Sequence, residues 1–567
     1  MDMVLTNARV RTSDDALPLA DTVVIRDGRF AFVGAQSDAP RTGDLRVHDL
    51  DGRTVVPGFV DAHTHPSMVT ESRWHVRLPW TMDVDEVLAF IRDYAAAHPP
   101  EEAPFLYFEY YPSAMFRDVL PTKELLDSAV SDRPVLCQDF SEHSHWVNSR
   151  MLELMEVTKD TPDPEPPLEV FVRDERGEPT GLVREGAHVP FLPRMFEKLG
   201  WTPPRELTAE SVQHFFRFMT ESGVTSLFEA LVEDESIFAS LAELDGRGEL
   251  HTYYEGSLRF RTSADLPDVL TRVARCQEMY GSDRIRINAL KLFLDGTNET
   301  GNSAVLAPTC SHSGDGDGLG EIGMETAELT DCFEMANAAG VDIHIHMVGD
   351  RAFRVACDAV EAVKARLAAA GTAWTIQVTF AHCELVDPAD MVRPAALGII
   401  LNWTTHWSGG YFGEGSQEHL GIERWNRMYR FNEFADAGAV VTFSSDVVTS
   451  YEMHRGAPFF GMQVAHTRID PEFPLDEDRF PDGVRPELDA RISIERLLRG
   501  YTIDGAVQLR QQDRVGSITV GKVANLNVLS EDPFDVEPQR LSGIRCDVVL
   551  FEGRVVSGAL PVTPSVA

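Results

Sequence analysis

Val55-Val56-Pro57-Gly58-Phe59-Val60-Asp61-Ala62-His63-Thr64-His65-Pro66 begins as an apolar run and stops at two histidines spaced one residue apart. Residues i and i+2 of an extended strand share a face, so His63 and His65 can aim two imidazoles at one point, as a metal site needs. Pro57 and Gly58 punctuate the entry to the strand. A single His-x-His pair arises by chance in many chains. It decides the fold only if other strands bring further ligands to the same end.

Outward from this stretch, apolar strand-like runs alternate with helical stretches such as Val84 to Ala97, Leu207 to Ser222, Asp265 to Tyr280, Thr326 to Ala339 and Arg351 to Ala370. The strand candidates are Val55 to His63, Thr225 to Ala230, Leu250 to Glu255, Ile285 to Leu294, Val341 to His346, Val378 to His382, Gly398 to Trp403 and Val440 to Ser445. Alternation of this kind predicts parallel βα units, and eight strands close a (β/α)8 barrel of the TIM type, an α/β fold. The barrel is expected over residues 57–511. Residues of about 68–204 are too many for one βα connection, and are expected to form an inserted subdomain over the barrel mouth. Residues 1–56 and 512–567 carry short strand patterns with turns at Asp27-Gly28 and Asp51-Gly52, and neither end alone supplies a stable sheet. The two ends are expected to combine into one β-sandwich.

Composition bounds the function. Apolar residues at 43% and charged residues at 25% are those of a globular protein, and the 567 residues suffice for a large core. A formal charge of −39 repels phosphate backbones and anionic membranes, so neither nucleic acid nor a membrane is an expected partner. No apolar run reaches membrane-span length and the first residues have no signal-peptide pattern, so the expected location is cytoplasmic. The seven cysteines are scattered without a C-x-x-C pair and are expected to be reduced thiols. A small-molecule substrate is the expected partner, and a second copy of the chain, as a homodimer, the expected assembly if there is one.

The strand ends carry the chemistry. His63 and His65 close strand one. Lys291 lies in the apolar run of strand four, His346 near the end of strand five, His382 at the end of strand six and Asp446 after strand eight. His344 shares the face of His346 one pleat earlier and is expected to be a core histidine. Only six of the 51 basic residues are lysines, so a lysine inside an apolar strand needs a reason. An ammonium buried among Leu290, Leu292 and Phe293 loses hydration, its pKa falls, and the neutral amine can capture carbon dioxide as a carbamate, a two-oxygen ligand able to bridge metals. The alternative is an ion pair with Asp295 or Glu229. Asp350 and Glu384 are candidates to orient the ligand imidazoles, or else caps of the turns that follow.

The phrases V-V-P-G-F-V-D-A-H-T-H, I-N-A-L-K-L-F-L-D-G-T, H-M-V-G-D-R-A, F-A-H-C-E-L-V-D-P-A-D-M, L-G-I-E-R, A-G-A-V-V-T-F-S-S-D and G-S-I-T-V-G-K-V-A-N-L resemble the amidohydrolase superfamily, specifically its YtcJ-like branch, amidohydrolase family 3. The resemblance spans nearly the whole chain. It implies a distorted (β/α)8 barrel with a composite sandwich and one or two divalent ions, usually Zn2+. It further implies that His63 and His65 bind the first metal, carboxylated Lys291 bridges, His346 and His382 bind the second, and Asp446 contacts the first. In such a site the metal acidifies water and polarises the scissile carbonyl, while Asp446 serves as general base and returns the proton to the leaving amine.

The implied activity is hydrolysis of a C–N bond other than a peptide bond, in an amide, an N-formyl or N-acyl amine as in N-substituted formamide deformylation, or a cyclic amide. A metal-dependent decarboxylase or isomerase, and a metal-free scaffold, are the alternatives. Aromatic and histidine side chains of the insertion, Tyr110, Tyr111, Phe116, His143 and Trp146, and of the segment after strand seven, Trp403, His406, Trp407, Tyr411 and Phe412, point to an apolar or aromatic substrate. His143, Trp146, Trp403, His406 and Trp407 are the expected substrate contacts. The chain departs from the branch here, with D-F-S-E-H-S-H-W-V-N in place of an Asp-Gly-His-Ser phrase and W-T-T-H-W in place of a Gln-Pro phrase.

Overall fold

The computed structural model describes residues 2–40, 45–116, 120–310, 317–410 and 415–561. The run from Val55 to His63, expected as one strand, is two strands in two sheets. Thr54–Pro57 pairs antiparallel with Leu526–Leu529 and parallel with Arg9–Arg11, whereas Phe59–Thr64 enters a separate parallel sheet. Every residue of both strands is buried, so no polar alternation marks the division. Only Pro57-Gly58 does. At Gly58 the backbone passes so close to the neighbouring strand that a Cβ would lie 2.2 Å from Thr225 Oγ1.

The parallel sheet contains β1 (Phe59–Thr64), β2 (Val224–Val232), β3 (Tyr253–Arg259), β4 (Ile285–Phe293), β5 (Asp342–Met347), β6 (Val378–His382), β7 (Ile400–Thr404) and β8 (Val440–Ser444). They are hydrogen-bonded in chain order, each neighbouring pair parallel. The chain therefore has the α/β, TIM-type barrel expected, nearly closed. The third strand is displaced from the expected Leu250–Glu255, because residues 250–252 pair with neither neighbouring strand. The seam between β8 and β1 is joined by the backbone N–H of Asp446 donating to the His63 carbonyl at 2.8 Å. The Asp61 carboxylate also accepts there from the Ser445 N–H at 3.0 Å and the Ser445 hydroxyl at 2.6 Å.

Helices cover the barrel for legible reasons. In Ala209–Glu221, Val212, Phe215, Phe216 and Met219 recur at helical spacing and are buried, while the Thr208 side chain accepts from the Ser211 N–H at the N-cap.

The two chain ends form two facing sheets. The strand order is 29–34, 22–26, 3–6, 46–49 in one, and 554–558, 546–551, 526–529, 54–57, 9–11, 19–20 in the other. Leu5, Val23 and Ile25 share a core with Val55, Leu526, Val528 and Val548, so strands from opposite termini complete one sandwich. The segment between β1 and β2 builds its own six-stranded sheet, in the order 171–173, 179–184, 144–147, 135–139, 106–111, 76–77. Separate apolar clusters lie on it, one around Leu88, Phe108 and Trp146, the other around Leu136, Met151 and Phe196.

Replacing Gly58 by valine forces side-chain atoms into Thr225. Overpacking of this kind costs about 1–3 kcal/mol, and the expected outcome is a lower denaturation midpoint in Gly58→Val with an unchanged slope. A wild-type midpoint would show that β2 yields without strain.

Candidate metal centre

His63 on β1, Lys291 on β4, His346 on β5 and His382 on β6 meet His65 and Asp446, which follow β1 and β8, around one cavity of about 270 Å3. The cavity lies at the C-terminal ends of the strands, where barrel enzymes carry their chemistry. Asp446 is its hub. One carboxylate oxygen is 3.0 Å from His65 Nε2 and 3.3 Å from His63 Nε2, and the other is 3.5 Å from His382 Nδ1. Donor atoms of His63, His382 and Asp446 all lie within 4.8 Å of one another. His382 and Asp446 both hold left-handed backbone, with φ of +73° and +48°, a conformation that is costly for such residues and concentrated at functional sites.

This donor set fits a divalent cation. Burial pushes the His63, His346 and His382 imidazoles well below their ordinary pKa, so they are neutral and offer lone pairs. Burial alone would raise the Asp446 carboxyl, but the hydrogen bond from His65 and the charge of Lys291 hold it below the usual range, as an anion. His346 Nε2 and His382 Nδ1 are shielded from solvent and have no hydrogen-bond partner among the described residues. Neutral imidazoles with bare nitrogens around a buried carboxylate are the arrangement a transition-metal ion completes.

Lys291 is buried and makes no hydrogen bond or ion pair among the described residues; its Nζ is 4.9 Å from the centre of the Phe293 ring. The carboxylates that might have paired with it are engaged elsewhere. Asp295 accepts from the N–H groups of Ala304, Val348 and Gly349, each at 2.9 Å, and Glu229 accepts from the Ser67 N–H at 2.8 Å and from the Tyr254 hydroxyl. Burial draws the Lys291 pKa down to about 7, against the pull of Asp446.

The supporting residues divide by position. His344 Nε2 is 2.9 Å from His63 Nδ1, so this buried histidine fixes the His63 ring. Asp61 anchors the seam beside His63, and its place two residues before His63 on the strand was the signal for it. Glu384 lines the cavity and accepts from Asn298 Nδ2 at 2.9 Å, with burial and the neighbouring Glu299 raising its carboxyl to about 8. Asp350 lies outside the cavity and accepts from the Leu306 N–H at 2.8 Å, which secures a loop and orients no histidine.

Of the expected substrate contacts, His143 and Trp407 line the cavity. The Trp407 ring stacks on His382 with 5.3 Å between centroids. His143 Nδ1 is 2.6 Å from a Glu185 oxygen and its ring centroid 5.1 Å from that of His346. Burial opposes its charge, yet Glu185 raises its pKa to about 9. Trp146, Trp403 and His406 are not brought to the cavity. Trp146 donates to the Thr122 carbonyl at 2.8 Å and packs on Phe116 inside the insertion. Side chains alternate along β7, and Thr404 faces Asp446 at 3.4 Å, so Trp403 points outward onto Phe431 and Phe434. His406 is buried beside Phe460, and Tyr411 and Phe412 lie outside the described residues. Phe140, Glu142, His145, Glu169 and His188 line the cavity and were not singled out from sequence. The order of strands in the insertion, which brings them there, has no local signature.

A parallel eight-stranded barrel with a buried histidine and aspartate centre at its C-terminal rim is an architecture on which metal-dependent enzymes are built. Residues 46–557 match the model of the Amidohydrolase family, and the chain belongs to that family. It is 28% identical over 562 residues to an N-substituted formamide deformylase of Arthrobacter pascens, covering 94% of each chain. It is 26% identical over 452 residues to the exoenzymes regulatory protein AepA of Pectobacterium carotovorum subsp. carotovorum, covering 77% of this chain and 92% of that one. Its fold is similar to that of an uncharacterized metal-dependent hydrolase from Pyrococcus horikoshii OT3, with a TM-score of 0.66 at 22% identity, covering 95% of this chain and 99% of that one. Among the described residues no helix is long and apolar enough to cross a membrane.

A ligand that binds only the folded state stabilises it, by about 2.7 kcal/mol at a hundred times its Kd. Chelator-treated protein is therefore expected to melt at a lower temperature, with the loss reversed by a divalent ion in wild type but not in His382→Ala. An identical melting temperature with and without metal would contradict this site.

Proposed function

We propose that the protein hydrolyses a non-peptide C–N bond in a small molecule: an amide, an N-formyl or N-acyl amine, or a cyclic amide. The observation that carries the reading is the set of bare imidazole nitrogens around the Asp446 carboxylate, next to an unpaired, neutralisable Lys291. The name of the deformylase relative supports the bond type. His63, His65 and Asp446 are the residues to hold one Zn2+, and His346 and His382 a second. A bound ion supplies the Lewis acidity that acidifies water and polarises a carbonyl.

The protein's own groups supply the remainder. A neutral Lys291 Nζ attacks carbon dioxide, forming the N–C bond of a carbamate and releasing one proton to solvent, which turns a neutral amine into an anionic group. Asp446, anionic and steadied by the Thr404 hydroxyl, accepts the proton from the attacking water and delivers it to the departing amine. His143, charged through its contact with Glu185, faces the cavity as a donor for the substrate oxygen. Phe140, Phe293 and Trp407 give an apolar or aromatic acyl or amine portion its wall. Seven cysteines without a disulfide among them support a reducing compartment, the cytoplasm.

Asp446→Asn keeps the shape and removes the base. Its kcat on an N-formyl or N-acyl amine found by screening is expected to fall about 10²- to 10⁴-fold, the usual contribution of a general base; full turnover would exclude Asp446 from proton transfer. For Lys291, incubation with 13C-labelled bicarbonate is expected to give a carbamate carbonyl resonance in wild type that is absent from Lys291→Ala. The same spectrum from both proteins would remove the bridging role.

A further inference from the structure

The roof of the cavity is built by the insertion, and it carries polar atoms that neither the metal centre nor the proton transfer uses. Glu142 Oε1, Glu169 Oε2, Glu185 Oε1, His145 Nδ1 and His188 Nδ1 are all shielded from solvent, and none has a hydrogen-bond partner among the described residues. All five side chains line the one cavity. Glu169, His188 and His145 are only 2%, 4% and 5% exposed, and the Glu185 side chain 7%. In two of the carboxylates the second oxygen is already engaged: Glu169 with Arg259 at 2.7 Å, and Glu185 with His143 at 2.6 Å. Glu142 is held on the roof by a left-handed backbone with φ of +65°.

These atoms share one chemistry. An ionised carboxylate only accepts hydrogen bonds, and burial keeps the His145 and His188 rings, 4.4 Å apart, neutral and able to accept at a bare nitrogen. A group that satisfies them must bring donors. The preponderance of carboxylates favours a group that also brings positive charge. Eight carboxylates line the cavity against four side chains able to carry positive charge, Arg259, Arg261, Lys291 and His143, and three of these are already ion-paired, the arginines with Glu165 and Glu169 and His143 with Glu185. Burial and the neighbouring Glu452 push the Glu142 carboxyl well above its usual range, and a cation bound beside it favours the ionised, accepting form. Leu168 and Val189 line the same cavity and offer apolar surface for an alkyl stem.

We propose that the insertion roof is a specificity subsite for a cationic nitrogen, an ammonium or guanidinium, carried by the substrate on an apolar stem away from the scissile bond. The subsite refines the hydrolase reading and rests on it for the word substrate, but its binding chemistry can be tested separately.

The test uses metal-loaded enzyme and a matched series: N-formylhexylamine, N-formyl-1,6-diaminohexane and the guanidino analogue of the latter. The cationic members are expected to have kcat/KM higher by about tenfold or more, the scale of a charge-assisted hydrogen bond. The preference is expected to shrink in Glu142→Gln and with added salt. The better of the two cations tells ammonium from guanidinium. Equal kcat/KM for neutral and cationic members in wild type overturns the subsite while leaving the hydrolase reading in place, and needs no variant to fold. If no member is hydrolysed, the choice of C–N bond fails instead. The subsite is then decided by calorimetric titration of wild type with hexylamine and hexan-1-ol: tighter binding of the amine sustains it, and equal binding overturns it.

Discussion

Asp446 meets three imidazoles because the barrel closes between β8 and β1. The Asp61 carboxylate takes both hydrogen bonds that Ser445 offers, and the His63 carbonyl takes the N–H of Asp446 itself. With the seam joined in this way, the first and last strands deliver their ligands to one point, although 381 positions separate His65 from Asp446. The cost is concentrated there too. Several ionisable groups lose water together, and each must find its compensation in another of the set.

That mutual dependence accounts for the electrostatics of the centre. His63, His346 and His382 lose their charge to burial, Asp446 keeps its charge through His65 and Lys291, and Lys291 sits near the point where either state is open to it. The buried His143 ring is shifted the other way, and Glu185 is the reason. Beyond the centre the same economy fails on the insertion roof, where buried carboxylate and imidazole atoms have no hydrogen-bond partner among the described residues.

How much of this could be read from the chain depends on whether the governing contact is local. The period of the strands and helices is local, so the eight barrel strands were legible, as were residues at strand ends such as His382. The division at Gly58 was not, because two fully buried strands in succession look like one. Alternation tells which residues share a face but not which face is inside, which is why Trp403 was expected at the cavity and instead packs against Phe431, one position before Thr404 turns toward Asp446. The roof residues were the least legible. Glu142, His145, Glu169, Glu185 and His188 come together only through the order of strands within the insertion, and no short window of sequence encodes that order.

Gly58 also bears on how such a chain can change. The strand that carries His63 is covalently continuous, across one residue, with a strand of the terminal sandwich, and that strand is clamped on both sides by partners from opposite ends of the chain. The sandwich is thus a mechanical footing for His63, and trimming it away would loosen that side chain. The insertion leaves the barrel just after His65 and rejoins it before β2, so it can be exchanged or remodelled while the footing stays intact. The architecture separates the strands that hold the centre from the segment that roofs it.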